Sequence, residues 1–226
     1  METKTKAYQR VKRILDFSAA FALIIALSPF FLFAAILIKA TSPGPVFFRQ
    51  PRVGYRGRLF SIIKFRTMID GAANIGSGLR TAENDVRITT VGGWLRRFSL
   101  DELPQLINIL KGEMSFIGPR PAPEIHASLY DIKNPKRLSL RPGITGWAQV
   151  SGRNELDWPQ KIRKDIEYAD RFSFLLDCRI VMRTFSYIVF GKNVYTKKFA
   201  AEVEDSNRKI LNRKASVRGE KPDPEA

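Results

Sequence analysis

The chain holds one cysteine, Cys178, and one histidine, His126. A lone cysteine excludes an intramolecular disulfide, which suits a reducing compartment. A lone histidine excludes a multi-histidine metal centre and leaves a histidine-based triad one candidate; His126 reads as an ordinary surface or partly buried residue. Acidic residues are scarce beside basic ones, 22 against 38, giving a formal net charge of +16. Such an excess points to an anionic partner. One candidate is membrane lipid, where each juxtamembrane cation is worth about 1 kcal/mol; another is a phosphate-rich ligand. Zinc-finger spacing and RRM-type aromatic motifs are missing, so nucleic acid is not expected as a partner. There is no internal repeat, and 226 residues allow one compact domain plus a membrane element rather than two large domains.

What the chain does have is a run of 22 residues without a charge, Phe17 to Ile38. As one straight helix it would be about 33 Å long, enough to cross the hydrocarbon core of a bilayer. Its flanks argue against crossing. Lys4, Lys6, Arg10, Lys12 and Arg13 precede it, and Lys39, Arg49, Arg52, Arg56 and Arg58 follow it. Cations favour the cytoplasmic side, and here they stand at both ends. Ser28 and Pro29 break the middle. Pro29 lacks the N–H that would bond the Ile25 carbonyl, and its ring crowds that turn. The Ser28 hydroxyl can satisfy part of what is freed. The expectation is a re-entrant pair of half-helices within one leaflet; a single kinked transmembrane helix is the alternative. The apolar stretch is too long for a cleaved signal peptide, and no A-x-A-like site follows it.

Residues 1–13 read as a basic amphipathic approach to the membrane. After TSPGP (41–45), a turn-rich exit, residues 46–68 mix β-branched, aromatic and basic side chains and predict a hairpin around Gly54–Gly57. Residues 71–85 read as a mobile loop, whose Gly76-x-Gly78 is too weak a signal for a phosphate loop. Trp94, Leu95 and Phe98 share one helical face. A second helix is expected to start near Ser99 or Asp101, with Pro104 in its first turn and Gly112 ending it. Prolines 119, 121 and 123 force an extended path, residues 141–154 form a glycine-punctuated loop, and helical signal returns at 158–170. In 172–190 the apolar run is interrupted by Asp177, Arg179 and Arg183. It reads as an amphipathic helix on the membrane surface, against the alternative of an ordinary core-packed helix. Residues 213–226 look like a disordered tail.

The chemistry centres on SLDELPQL, where Asp101 and Glu102 are adjacent. Ser99-x-x-Glu102 is also the pattern of a capping box, whose side chains merely satisfy orphan N–H groups. The company the pair keeps favours more than a cap: Arg96 and Arg97 precede it and MSFIGPRP (114–121) follows. A carboxylate among arginines is expected to be ionised at pH 7, its pKa lowered further by the cations. It needs no general base to attack phosphorus. Arginines match phosphoryl oxygens in a bidentate geometry, and a second carboxylate suits Mg²⁺, which binds through one or two carboxylates plus substrate phosphate.

Five blocks together resemble the bacterial sugar transferases, the small monotopic phosphoglycosyl transferases. They are KRILD (12–16), the apolar segment with Ser28-Pro29, residues 44–68, LRRFSLDELPQLINILKGEMSFIGPRP (95–121) and RPGITGWAQVSGRN (141–154). The resemblance implies transfer of sugar-1-phosphate from a UDP-sugar to polyprenol (undecaprenyl) phosphate with release of UMP. The setting would be the first membrane step of exopolysaccharide, capsule or glycoconjugate synthesis. Carried over by motif, Asp101 is the nucleophile that forms a covalent phospho-sugar intermediate, and Glu102 is the Mg²⁺ ligand. Lys64, Arg96 and Arg120 bind phosphates or shape the site, Arg141 and the loop to Arg153 contribute to the nucleotide-sugar site, and Ser28-Pro29 is the membrane-helix break. The fold implied is α/β and mostly helical. It comprises a basic arm and re-entrant helix (1–40), a small cytoplasmic catalytic domain with interfacial helices (41–200), and a flexible tail (201–226). The location implied is the cytoplasmic face of the bacterial inner membrane. A homodimer or association with pathway glycosyltransferases stays open. The rival reading is a membrane-anchored basic protein that binds acidic lipid or nucleic acid without catalysis.

Overall fold

The computed structural model describes residues 2–75, 81, 85–123, 135–152, 156–190, 204–205 and 207–210. Helices α1 (Glu2–Ala26) and α2 (Ser28–Thr41) meet at a 62° bend. The Ser28 hydroxyl donates to the Ile25 carbonyl at 2.8 Å. That is the acceptor which Pro29, lacking an N–H, leaves unmatched. Among the described residues no single helix is long and apolar enough to cross a membrane; the bent pair together has the length and composition. Ala34 and Ile38 of α2 are buried with Phe65 and Leu95. Phe31 lies 5.4 Å from Phe65, centroid to centroid, and Phe30 lies 6.4 Å from both Phe65 and Trp94. The opposite surface of the pair, including Phe21, Ile25, Leu32, Phe33 and Ile36, is exposed and apolar, as an interaction or membrane face is.

The bend delivers the chain into β1 (Phe47–Val53) and β2 (Leu59–Phe65), antiparallel from Phe47↔Phe65 to Val53↔Leu59, so the expected hairpin forms. Next come α3 (Thr90–Arg97), α4 (Gln105–Lys111), β3 (Ser115–Ile117), β4 (Ala122–Pro123) and β5 (Gly143–Thr145). The chain then continues through α5 (Trp147–Val150), α6 (Trp158–Asp170) and α7 (Phe174–Phe190). β4 extends the hairpin on the β1 side, while β3 and β5 pair in parallel. The fold is therefore mostly helical with small sheets. One apolar core unites Ala20 of α1 with Ile62, Leu106, Ile109 and Met114. Another gathers Ile117, Leu140, Trp147, Val150 and Tyr168 around Leu176 and Ile180 of α7.

Polar groups fasten α1 to these cores, so the basic arm is not simply a membrane approach. Lys12 Nζ lies 3.0 Å from Asp177 Oδ2 on α7, and the Tyr8 and Tyr168 hydroxyls each donate to Asp177 at 2.7 Å. Arg13 donates to the carbonyls of Ile109 and Leu110 at the end of α4. The KRILD cations thus turn inward, because carbonyls left over at a helix C-terminus and a buried carboxylate both need donors. α7 is two-faced, with one side packed into the core and the other apolar and exposed. Leu176, Asp177 and Ile180 are buried, whereas Leu175 is 80% and Met182 68% exposed. Within the segment read as a flexible tail, residues 204–205 and 207–210 are helical, and Asn207 Oδ1 accepts from the Val86 N–H at 3.2 Å.

Candidate active site

A cavity of about 1360 Å³ is lined by Asp101, Glu102, Lys64, Arg96 and Arg120. Each arrives from a different part of the chain. Lys64 sits near the end of β2, and Asn108 of α4 holds that strand in place. The Asn108 carboxamide accepts from Ile63 N–H at 3.0 Å and donates to the Ser61 carbonyl at 2.8 Å. Arg96 lies in the last turn of α3, which rests on the segment after β2. A Cβ on Gly92 would come 2.0 Å from the Thr67 carbonyl oxygen, so only glycine fits there. Thr67 in turn accepts from Arg96 Nε at 2.7 Å through its hydroxyl, aiming the guanidinium.

Between α3 and α4 the chain does not start a helix at Ser99 or Asp101. Ser99 adopts φ 56° and makes no capping bond with its side chain, Leu100–Glu102 form a 3₁₀ turn, and Pro104 precedes α4. The capping-box reading therefore fails. A non-glycine residue in the left-handed region is costly and concentrates at functional sites; here it turns both acids toward the cavity.

The two acids differ sharply. Glu102 Oε1 lies 2.6 Å from Lys64 Nζ and 3.1 Å from Arg120 Nη2. Burial alone would push its carboxyl up, but the Lys64 and Arg120 charges and hydrogen bonds hold it far below the ordinary range. Arg120 is held correspondingly higher by Glu102. No described residue hydrogen-bonds the Asp101 carboxylate. Burial pushes its pKa up, Lys64, Arg96 and Arg120 pull it down, Glu102 pushes it up again, and the net direction is upward. This corrects the expectation of a lowered value: loss of solvent together with the neighbouring negative charge outweighs three cations.

Magnesium fits this donor set in one way. No group of three or more acidic, histidine or cysteine side chains is assembled among the described residues, so there is no all-protein cage. Glu102 meets Lys64 and Arg120 through Oε1, so its other oxygen could share an ion with substrate phosphate and water, as suits an ion held by one or two carboxylates.

Arg141 does not join the cluster. Its Nε donates to the Gly112 carbonyl at 2.9 Å, its guanidinium lies 5.2 Å from the Tyr55 ring centroid, and it borders a separate small pocket beside α1. Arg153 lies outside the described residues, as does His126. Two cavity residues escaped the sequence reading. Arg52, read there only as a flank cation, is a half-buried cavity residue on β1. Burial, with Arg120 nearby, lowers its pKa to about 10, and it donates to the Pro121 carbonyl at 3.2 Å. Phe48, Arg49 and Gln50 of the same strand also line the cavity, so strand alternation did not single it out. Gln149 of α5, an unremarked member of the 141–154 block, also lines the cavity.

A family model described as bacterial sugar transferase matches residues 7–191. An uncharacterized sugar transferase of Bacillus subtilis (strain 168), EpsL, is 40% identical over 184 residues, covering 81% of this chain and 90% of the relative. A UDP-glucose:undecaprenyl-phosphate glucose-1-phosphate transferase of Caulobacter vibrioides is 42% identical over 194 residues, 81% of this chain and 72% of the relative. A UDP-N-acetylgalactosamine-undecaprenyl-phosphate N-acetylgalactosaminephosphotransferase of Aeromonas hydrophila is 42% identical over 190 residues, 81% of this chain and 45% of the relative.

Proposed function

Because the chain belongs to the bacterial sugar transferase family, we propose that it moves sugar-1-phosphate from a UDP-sugar to undecaprenyl phosphate, releasing UMP. The observation that carries the reading is the Asp101 carboxylate, unbonded and central among Lys64, Arg96 and Arg120 in one cavity. An Asp101 oxygen attacks the phosphorus that bears the sugar. The bond from that phosphorus to the bridging oxygen breaks, and UMP leaves with the electron pair. An oxygen of the lipid phosphate then attacks the same phosphorus and displaces the Asp101 carboxylate, which returns to its starting state. Desolvation keeps the nucleophile reactive, and fixed cations offset the charge that builds on the phosphoryl oxygens. Glu102 plays a different part. Pinned to Lys64 and Arg120, it sets the spacing of those cations and would hold Mg²⁺ through Oε2; the ion, when bound, neutralises diphosphate charge. Undecaprenyl phosphate reaches the cavity from the apolar side, where Leu23, Phe47, Phe48 and Phe98 line it. The bent α1–α2 pair sits in the cytoplasmic leaflet of the inner membrane, with cations on both sides of the break facing the cytoplasm.

The test is an intact-mass measurement. Given UDP-sugar without lipid acceptor, the wild type gains the mass of one sugar phosphate on Asp101 and releases UMP. Asp101→Asn shows neither, because an amide is not a nucleophile. Steady-state kinetics with both substrates are ping-pong. Near-normal turnover by Asp101→Asn would refute the assignment.

A further inference from the structure

We propose that Gln149 reads the uncharged part of the nucleotide-sugar, a role that rests on the transfer reaction above and that no cation in the site can fill. Of the glycine-punctuated block 141–154, Arg141 faces away from the cavity while Gln149 lines it. Both Gln149 Nε2 and Oε1 are shielded from solvent, and neither has a hydrogen-bond partner. A shielded carboxamide with all its hydrogen bonds unmade is destabilising, and native proteins keep such groups paired. The pairing that is missing inside the protein is therefore available to a ligand.

The backbone makes room for this group on the cavity wall. A Cβ on Gly146 would come 2.0 Å from the Gly118 carbonyl oxygen and 2.9 Å from Gln149 Oε1. Glycine at 146 thus lets the carboxamide lie against the strand end that continues into Arg120. Lys64, Arg96 and Arg120 suit the diphosphate, and a carboxamide adds what they lack: one acceptor and two donors without net charge. It fits either a pair of sugar hydroxyls or the adjacent N–H and C=O of a pyrimidine. Its chain neighbours Thr145, Ala148 and Val150, which also line the cavity, are uncharged.

The experiment uses the full-length enzyme in detergent and compares wild type with Gln149→Leu and the near-isosteric Gln149→Glu. Initial rates are measured with UDP-glucose, UDP-galactose, UDP-N-acetylglucosamine and TDP-glucose, and UDP-glucose affinity is measured by calorimetry. The expected result is a kcat/KM for the nucleotide-sugar lowered roughly 10- to 100-fold, with the KM for undecaprenyl phosphate unchanged and Gln149→Leu melting no lower than wild type. Discrimination lost among sugars on one base assigns the contact to hydroxyls; discrimination lost between bases on one sugar assigns it to the pyrimidine. Wild-type donor kinetics and affinity in both variants overturn the proposal. If Gln149→Leu does not fold, Gln149→Glu carries the test. If the wild type releases no UMP, the transfer reading fails, and the UDP-glucose affinities of wild type and variant still decide the role of Gln149.

Discussion

The acids and cations around Asp177 and those around Asp101 and Glu102 are finished differently. At Asp177, 4% exposed, the carboxylate is matched on both oxygens: Tyr168 donates to Oδ1, and Tyr8 and Lys12 meet Oδ2. The two tyrosine hydroxyls are held above their ordinary range by burial and by the Asp177 charge, so they remain donors. At the cavity only half the arrangement is closed. Glu102 is matched, while Asp101 has charge around it and no hydrogen bond upon it. A closed network fixes geometry, and here it clamps α1 to α6 and α7. A network left open one partner short gives up stability in order to meet a substrate.

The largest effect that separates the two comes from Glu102→Gln. It removes the charge that spaces Lys64 and Arg120, so turnover should fall about 100- to 1000-fold, with a stability loss of up to about 3 kcal/mol because Lys64 loses its counter-charge. Turnover near wild type in this variant would show that the cations need no such spacing. Asp177→Asn should cost about 3 kcal/mol in denaturant unfolding, since an amide sets its own N–H against the donors of Tyr8, Tyr168 or Lys12. Activity per folded molecule should stay at the wild-type level. An unfolding midpoint equal to wild type would deny the clamp.

The smallest effect is the most discriminating. Asp101 has a folded-state pKa raised above its ordinary 3.8, so its favourable contribution is complete below that value and is lost as pH rises through the folded one. Ionising this carboxyl in the folded protein therefore costs stability, and Asp101→Asn should melt at or slightly above wild type while inactive. For Glu102 the sign reverses. Its contribution stands above the ordinary 4.5 and disappears as pH falls toward its depressed value. The acid limb of adduct formation should accordingly lie above 3.8 and follow Asp101. A lower-melting Asp101→Asn would mean that the open cluster is structurally closed after all.

Legibility in the sequence followed the range of the interactions. Pro29 and its serine neighbour announced the 62° bend because the lost N–H and its rescue lie within four residues. The hairpin and the glycine stop at Gly112 were equally local, the latter at φ 81°. The start of α4 was misread, because Ser99 matches a capping pattern and only the tertiary packing of α3 forces it to φ 56°. Only the fold decided that Arg141 lies outside the cavity and Gln149 on its wall, because glycine-punctuated sequence does not say which side chains face inward.

By itself the sequence determined the charge excess, the broken apolar segment, the hairpin and the adjacent acids with their basic neighbours, since each follows from chain-local covalent structure, hydropathy or spacing. Tertiary structure decided the rest. It drew Lys64, Arg96, Arg120 and Arg52 from separated segments around Asp101 and turned Lys12 and Arg13 inward to unpaired acceptors. It also set the two acids at opposite pKa directions. Those outcomes depend on burial and on charges far apart in the chain, and desolvation exists only once the fold has closed around them.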